Sequence, residues 1–315
     1  MSKKTAHVRN YHKWTKNISV VNAKYLTPLK CLNIPAILSL ARIHAYMPIC
    51  FFSTAVGLDM TNTPERLKFL LTIGLANTFA LVATFIFNNI VDVSDDLRAL
   101  SPKNTIALGK VSKETGYLAA AMACALSIYL AVITSFTVFV IILSINIIGF
   151  LYSWKPVRLK TMPFWDVFSN AVIGGLMFLS SAWSSDILFE YHLWLICLLF
   201  FLGTGASLIV HQLFDYQNDI AAHIKTTVVT LGKRKSCWVI GSIFFLMACL
   251  LANECRSGVF SLTLILSFCI FAICLILFRI ILFPKQTAHI SGRIVPWAIN
   301  LGAGIAIFIW FVTGD

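Results

Sequence analysis

The sequence contains few charged residues and especially few acids. Of 315 residues, 12% are Asp, Glu, Lys or Arg and only 13 are acidic, whereas 58% are hydrophobic. A chain of this composition has too few polar side chains to cover its apolar surface in water. The mean hydropathy of +0.83 agrees with that conclusion. We therefore expect an integral membrane protein.

Several common catalytic patterns are also missing. The nine cysteines include no C-x-x-C pair, and the seven histidines form no H-E-x-x-H or similar zinc-binding pattern. The sequence has no G-x-S-x-G motif, no Walker loop and no dinucleotide-binding glycine pattern. The sequence therefore gives no support for a hydrolase, a nucleotidase or a dinucleotide-binding Rossmann domain.

Long apolar runs predict an all-α fold with nine transmembrane helices, since about 20 apolar residues are needed to cross a bilayer. The nine runs are 34–58, 67–91, 116–133, 135–153, 163–183, 192–214, 236–252, 259–283 and 294–312. The third and fourth runs are separated only by Thr134 and Ser135. We expect residues 34–315 to form one membrane domain that follows a polar tail.

Basic residues predict the orientation of this domain. Residues 1–33 contain seven Lys or Arg and no acid, and the connections after spans two, four, six and eight are also basic. The opposite connections carry only Arg66, Lys68 and Arg256. By the positive-inside rule, residues 1–33 form a cytoplasmic N-terminal tail. The net charge of +12 is then explained mainly by basic residues that orient the helices in the membrane, and a nucleic-acid partner is not needed to explain it.

The membrane itself is less well defined by the sequence. A bacterial plasma membrane fits the basic cytoplasmic tail, which would lie on anionic lipid. An organelle membrane is the alternative, because transit peptides also lack acids.

Two acidic clusters end the second and sixth apolar runs. In a helix, Asn88, Asp92 and Asp96 share one face, and Asp215 shares a face with Asp219. Carboxylates gathered at one membrane face repel each other unless a cation lies between them. Carboxylate and amide oxygens suit Mg²⁺, which binds a few protein oxygens together with substrate phosphates. The two clusters therefore predict a site for a metal-bound diphosphate.

Basic residues in the same loops fit a diphosphate ligand. Five of them fall in the cytoplasmic connections: Lys103, Lys110, Arg158, Lys160 and Lys225. Such side chains would bind the diphosphate and stabilise the charge that develops on it as a leaving group. The alternative for each of them is a purely topological role.

These residues resemble the UbiA superfamily of intramembrane prenyltransferases. Asn88-x-x-x-Asp92-x-x-x-Asp96 is similar to the first motif of the family, and Asp215-x-x-x-Asp219 is similar to the second. Further similar segments are Arg42 to His44, Gly109 to Ser112, Tyr152 to Lys160 and Lys225 to Gly232. The resemblance covers roughly residues 35–312 and is specific because the motifs occur together and in the same order.

The resemblance implies nine helices in a ring around a central cavity, with the two motifs facing each other. It implies two Mg²⁺ ions bound by Asn88, Asp92, Asp96, Asp215 and Asp219. The donor would be an isoprenyl diphosphate and the acceptor a hydrophobic or aromatic molecule in the membrane. Tyr152 joins the four aspartates as a catalytic residue. The substrate-binding residues implied are Asn88, Asn89, Arg42, Lys103, Lys110, Arg158, Lys160, Gln212 and Lys225.

Four departures from the family pattern leave the acceptor open. Asn89 and Gln212 stand where Asp is frequent, Asn104 replaces a usual Arg, and His223 replaces a common Gly. A second hypothesis within the same fold is a terpene cyclase that acts on the isoprenyl diphosphate itself. A third is a cation-binding transporter, against which the position of the acids at span ends argues, since transport sites more often lie near the bilayer centre.

Overall fold

The computed structural model describes residues 34–61, 65–97, 104–182 and 190–256, and within these ranges the protein is helical without strands. The α-helices are α1 (Ile34–Ala41), α2 (Ile43–Asp59), α3 (Arg66–Val91), α4 (Val93–Asp96), α5 (Lys113–Val132), α6 (Phe136–Ser153), α7 (Trp165–Ala182), α8 (Tyr191–Ala221), α9 (Thr227–Leu231) and α10 (Lys233–Arg256). A short 3₁₀ helix over Leu159–Thr161 links α6 to α7.

Five helices of the described part are long and apolar enough to cross a membrane, namely α3, α5, α6, α8 and the Lys233–Glu254 portion of α10. A sixth is present if α1 and α2, which are bent by 50° relative to each other, form one span. The bend lies at Arg42, whose φ of 48° is in the left-handed region and interrupts the helix.

The predicted fifth span, 163–183, is helical as α7 but does not pass the same test of length and composition. Its polar residues are tolerated because α7 is largely enclosed by protein, with α2, α6 and α8 as neighbours. The tail 1–33 and the predicted spans 259–283 and 294–312 lie outside the described residues. The count of nine spans and the orientation of the N-terminus stay predictions.

The boundary predicted at Thr134 and Ser135 agrees with the structure. Helix α5 ends at Val132 and α6 begins at Phe136. Ser135 caps α6, because its hydroxyl accepts a hydrogen bond from the amide of Val138 at 3.1 Å. One hydrogen-bonding residue therefore separates two helices that are almost continuous in hydropathy.

Buried polar contacts connect the helices where water is excluded. The Asn77 side chain of α3 donates to Thr54 Oγ1 of α2 at 3.3 Å and to Ser180 Oγ of α7 at 3.0 Å. Asn77 and Thr54 have no solvent exposure. In an apolar solvent, hydrogen bonds of this kind stabilise helix association. These contacts fix α3, which carries the first acidic motif, against its neighbours.

Helices α7 and α8 approach each other closely because α7 has a glycine, Gly174, at their contact. A Cβ added to Gly174 would lie 2.0 Å from Thr204 Oγ1 and 2.7 Å from the carbonyl oxygen of Phe200. The backbone oxygen cannot move without shifting α8. Small residues at helix contacts are the usual means of bringing backbones together in membranes.

We expect Gly174→Ala to destabilise the protein by about 1–3 kcal/mol, because an added methyl group forces the packed helices apart. Melting temperatures of the purified protein in detergent measure this effect. Gly241→Ala is the matched control, since a Cβ there meets no atom within 4 Å in the described part of the chain. A Gly174→Ala variant that melts no lower than the Gly241→Ala variant would contradict the packing argument.

Candidate functional site

The first acidic motif lies where α3 ends and the one-turn helix α4 begins. Asp92 occupies the turn between them, and its amide donates to the Asn88 carbonyl at 2.9 Å. The amide of Asp96 donates to the Asp92 carbonyl at 2.8 Å. The helical path therefore continues through the turn, and Asn88, Asp92 and Asp96 follow one another at intervals of about one turn, as predicted from their spacing.

Two basic side chains neutralise Asp92, which is only 7% exposed. Lys160 Nζ contacts Asp92 Oδ2, and Arg158 Nη2 lies 3.2 Å from Asp92 Oδ1. Lys160 Nζ also lies 3.5 Å from Asn88 Oδ1, which accepts a hydrogen bond from Ser153 Oγ at 2.9 Å. The structure thus brings together Asn88, Asp92, Arg158 and Lys160, all four predicted as site residues.

The local backbone explains why both bases reach the same carboxylate. Helix α6 ends at Ser153, and the amide of Arg158 donates back to the Trp154 carbonyl at 2.7 Å. Arg158 has φ 48°, a left-handed conformation that is uncommon for a residue with a side chain. It leads directly into the 3₁₀ helix that carries Lys160. This strained turn directs the Tyr152 to Lys160 segment toward the first motif.

Asp95 belongs to the first acidic cluster but was not predicted as a metal or substrate ligand. Its Oδ2 contacts Arg158 Nη2, which also contacts Asp92. Although burial lowers the pKa of Arg158, the hydrogen bond that it donates to Asp95 and the charges of Asp95 and Asp92 raise the pKa above its ordinary value. Asp95 holds the guanidinium beside the motif. The sequence signal was present, since Asp95 belongs to the acidic cluster, but its spacing from Asp92 differs from that of the motif.

Asn104 was likewise not predicted as a ligand. Its side chain is only 3% exposed, and its amide group makes several hydrogen bonds. Its Nδ2 donates to Asp96 Oδ2 at 2.7 Å and to the Asn89 carbonyl at 2.6 Å. Its Oδ1 accepts from the amide of Ile106 at 2.9 Å. Burial raises the pKa of Asp96, and the hydrogen bond from Asn104 offsets part of that rise. Asn104 therefore fixes the loop after the first motif to both of its helices.

The second motif lies on the last two turns of α8. Asp215 is exposed, whereas Asp219 is partly buried and accepts a hydrogen bond from Thr226 Oγ1 at 3.3 Å. His223 follows the helix with φ 56°. Glycine adopts a left-handed turn most readily, and here a histidine adopts it. The turn returns the Lys225–Thr226 segment to Asp219.

Gln212 is held inside the protein rather than left free. Its Nε2 donates to Asp166 Oδ2 at 2.7 Å, and its Oε1 accepts from the amide of Val228 at 3.2 Å. Asp166, which has no solvent exposure, also accepts from the amide of Thr227 at 2.8 Å and from its hydroxyl. Both ends of the Gln212 amide are thus bound within the protein. Asp166 connects α7, α8 and α9 next to the second motif.

Longer-range electrostatic interactions connect the two motifs. Lys160 interacts with Asp96 of the first motif and with Asp219 of the second. The hydroxyl of Tyr152 likewise interacts with Asp92 and Asp219. Tyr152 and Lys160 are therefore within electrostatic range of both motifs.

The other predicted residues lie at the periphery or outside the described chain. Arg42 interacts with Asp96 and contacts the Tyr46 hydroxyl. Asn89 is buried and donates to the Phe85 carbonyl at 2.7 Å. Lys110 and Lys225 are exposed, and no ion pair between described residues includes them. Lys103 lies outside the described residues.

The carboxylates do not form a ready metal cluster. Among the described residues, no group of three or more His, Cys, Asp or Glu side chains converges as metal ligands. Asp92 instead contacts Lys160 and Arg158, and Asp96 contacts Asn104. The donor set nevertheless fits Mg²⁺, because it consists of carboxylate and amide oxygens. Asp92 would have to exchange a basic side chain for a metal ion.

The comparison with protein families gives one clear match. A model described as the UbiA prenyltransferase family matches residues 46–312 of the chain. No curated protein matches it significantly.

Solved structures share the fold at low sequence identity. A UbiA homolog from Archaeoglobus fulgidus bound to GPP and Mg²⁺ has 21% identity and a TM-score of 0.71, covering 88% of this chain and 98% of that one. An apo UbiA homolog from Aeropyrum pernix K1 has 16% identity and a TM-score of 0.66, covering 84% and 98%. A digeranylgeranylglyceryl phosphate synthase has 17% identity and a TM-score of 0.58, covering 89% and 97%.

Lys160→Met tests whether the bases stand in for a metal ion. Without Mg²⁺ we expect its melting temperature to fall, because a largely buried carboxylate that loses a partner costs on the order of 1–3 kcal/mol. Mg²⁺ should then raise the melting temperature more than it does for the unmodified protein, since the metal replaces the missing charge. Thermal melting with EDTA or Mg²⁺ measures both effects.

Lys110→Met is the matched control, because Lys110 is exposed and carries the same charge. It should leave both melting temperatures unchanged. An equal response of Lys160→Met and the unmodified protein to Mg²⁺ would contradict the exchange of Lys160 for a metal ion at Asp92.

Proposed function

Because the chain belongs to the UbiA prenyltransferase family, we propose that it transfers an isoprenyl group from a polyprenyl diphosphate to a lipophilic or aromatic acceptor within the membrane. The observation that carries this proposal is the position of Lys160. It contacts Asp92 of the first motif and interacts with Asp219 of the second. A cationic side chain that contacts one set of carboxylates and is within electrostatic range of the other supports a site for an anionic, metal-bound ligand.

The proposed metal ligands are Asp92, Asp96, Asp215 and Asp219, with Asn88 as an additional oxygen donor. Mg²⁺, as two ions, would supply charge neutralisation for the diphosphate and for the carboxylates that surround it. The relative from Archaeoglobus fulgidus is described as bound to GPP and Mg²⁺, which supports this choice of ligand and metal.

Arg158 and Lys160 have the charge needed to bind the leaving group. The allylic C–O bond of the donor breaks, and the diphosphate departs with the electron pair while both cations stabilise its increased charge. Asp95 keeps Arg158 in place when Asp92 is engaged elsewhere, since Asp95 contacts the same guanidinium nitrogen. The acceptor then forms a bond to the allylic carbon and releases a proton.

Tyr152 and the apolar helices protect the reacting carbon. Tyr152 interacts with Asp92 and Asp219, so its ring lies close to the place where the diphosphate would bind. An aromatic ring stabilises a nearby cation through its electron-rich face. Exclusion of water by the surrounding helices prevents hydrolysis of the allylic cation. We place this site on the cytoplasmic face, on the distribution of Lys and Arg along the sequence.

Purified protein in detergent, incubated with Mg²⁺ and geranyl, farnesyl or geranylgeranyl diphosphate, provides the functional test. Adding a membrane lipid extract supplies acceptors, and released pyrophosphate and extractable products are measured. We expect prenylated product only with the extract. Asp92→Asn and Asp215→Asn should lower the rate on the order of 100-fold or more, because each removes charge from the proposed metal site.

Glu65→Gln is the control, since Glu65 forms an exposed ion pair with Lys68 and lies at the start of α3, opposite its Asp92 end. Exposed pairs contribute little, so its rate should match that of the unmodified protein. If a cyclic hydrocarbon forms without the extract, the protein cyclises the donor instead of transferring its isoprenyl group. The enzyme proposal fails if no donor is consumed and the two aspartate variants bind donor as tightly as the unmodified protein.

A further inference from the structure

A second cleft, separate from the candidate site, lies where the end of α3, the start of α5 and the end of α6 meet. Its volume is about 610 Å³, within the usual range of about 300–1,000 Å³ for small-molecule sites. Phe87, Val91 and Phe150 contribute apolar side chains, and Lys113 and Lys155 line it as exposed basic residues. An apolar surface with two ammonium groups calls for an amphipathic ligand.

The cleft and the candidate site use different sides of the same segment. Asn88 and Asp92 contact Lys160, whereas their sequence neighbours Val91 and Val93 line the cleft. Adjacent positions on a helix point in directions about 100° apart. The turn that carries the first acidic motif therefore forms a wall of both spaces.

Aromatic side chains place the cleft at the depth of the lipid headgroups. Tyr117 is 52% exposed and Trp154 is 40% exposed, and both line the cleft close to helix ends. Exposed Tyr and Trp side chains concentrate at the membrane–water interface. The phosphate of a phospholipid would thus lie level with the two lysines, and its acyl chains would lie along Phe87 and Phe150.

The charges of the cleft favour an anion. Among described residues, no carboxylate lies within salt-bridge distance of Lys113 or Lys155. Of the nearby acids, Asp95 is paired with Arg158 and Asp96 accepts a hydrogen bond from Asn104, while Glu114 follows Lys113 on the exposed start of α5. Lys113 lies in the first turn of α5, where the helix dipole also attracts negative charge. Both ammonium groups, which form no ion pair among the described residues, are therefore open to an anionic ligand.

We propose that this cleft binds an anionic glycerophospholipid, with its phosphate between Lys113 and Lys155. Basic pockets between transmembrane helices bind anionic headgroups in this way. The bound lipid would pack against Val91 and Val93, which flank Asp92 in sequence. It would therefore hold the turn that presents the first acidic motif.

Native mass spectrometry of the full chain in detergent tests the proposal without using enzymatic activity. Dioleoyl phosphatidylglycerol and dioleoyl phosphatidylcholine share their acyl chains and differ in charge. We expect one phosphatidylglycerol to bind roughly 30-fold more tightly than phosphatidylcholine, since each of the two lysines contributes about 1 kcal/mol near an anionic lipid. Phosphatidylglycerol should also raise the melting temperature.

Three variants separate charge, shape and general effects. Lys113→Gln with Lys155→Gln should remove the preference for phosphatidylglycerol. Ser94→Trp keeps both lysines but fills the cleft, because Ser94 is an exposed lining residue, and it should weaken binding of the lipid. Arg234→Gln with Lys235→Gln is the control, since it removes two positive charges from the start of α10, outside the cleft.

Equal binding of the two lipids would overturn the proposal, and so would equal loss of preference in the Arg234/Lys235 control. Displacement of the bound lipid by geranylgeranyl diphosphate would also overturn it, because the cleft would then belong to the donor. Loss of lipid preference in the Lys113/Lys155 variant alone supports it. These outcomes do not depend on prenyl transfer, so the two proposals fail separately.

Discussion

A carboxylate removed from water must be neutralised, and in this protein that requirement falls on Asp92 at the end of α3. Without a metal ion, Lys160 and Arg158 supply the positive charge. In the segment after α6, Arg158 has a left-handed backbone conformation, and this turn brings both basic side chains to Asp92. Asp95 holds Arg158 in place through an ion pair, and Asn104 holds Asp96 through a hydrogen bond. The geometry of the first motif thus follows from the cost of isolating one charge in a poorly solvated place.

The same neutralisation links the site to its proposed chemistry. In the structure, Lys160 and Arg158 contact the carboxylate of Asp92. In a complex with diphosphate they would contact the phosphate oxygens, and metal ions would take their place at Asp92 and Asp96. Lys160 is suited to both arrangements because it interacts with both motifs. Among the described residues these carboxylates contact basic and amide side chains, and no group of three or more metal-ligating side chains converges.

The sequence predicted the features that depend on local spacing. Hydropathy located α3, α5, α6 and α8, and the break at Thr134 and Ser135 agrees with the hydrogen-bonding cap at Ser135. Motif spacing identified Asn88, Asp92, Arg158 and Lys160, which the structure brings together. It did not predict the partners of Asn104, Asp95 and Asp166, because these contacts form between separate segments of the chain. Gln212 shows the same limit, since its amide partners lie on α7 and at the start of α9. Only the folded chain reveals such partners.

The central claim is that the two acidic motifs bind one metal-bridged diphosphate between them. The most direct measurement is a crystal structure with Mn²⁺ and a non-hydrolysable isoprenyl diphosphate analogue, in which anomalous scattering locates the metal ions. We expect anomalous peaks from metal ions bound to Asp92 or Asp96 and to Asp215 or Asp219. The diphosphate should lie between these ions, and Lys160 should contact a phosphate oxygen instead of Asp92. A diphosphate bound elsewhere, or Lys160 still paired with Asp92 beside a bound ligand, would contradict it.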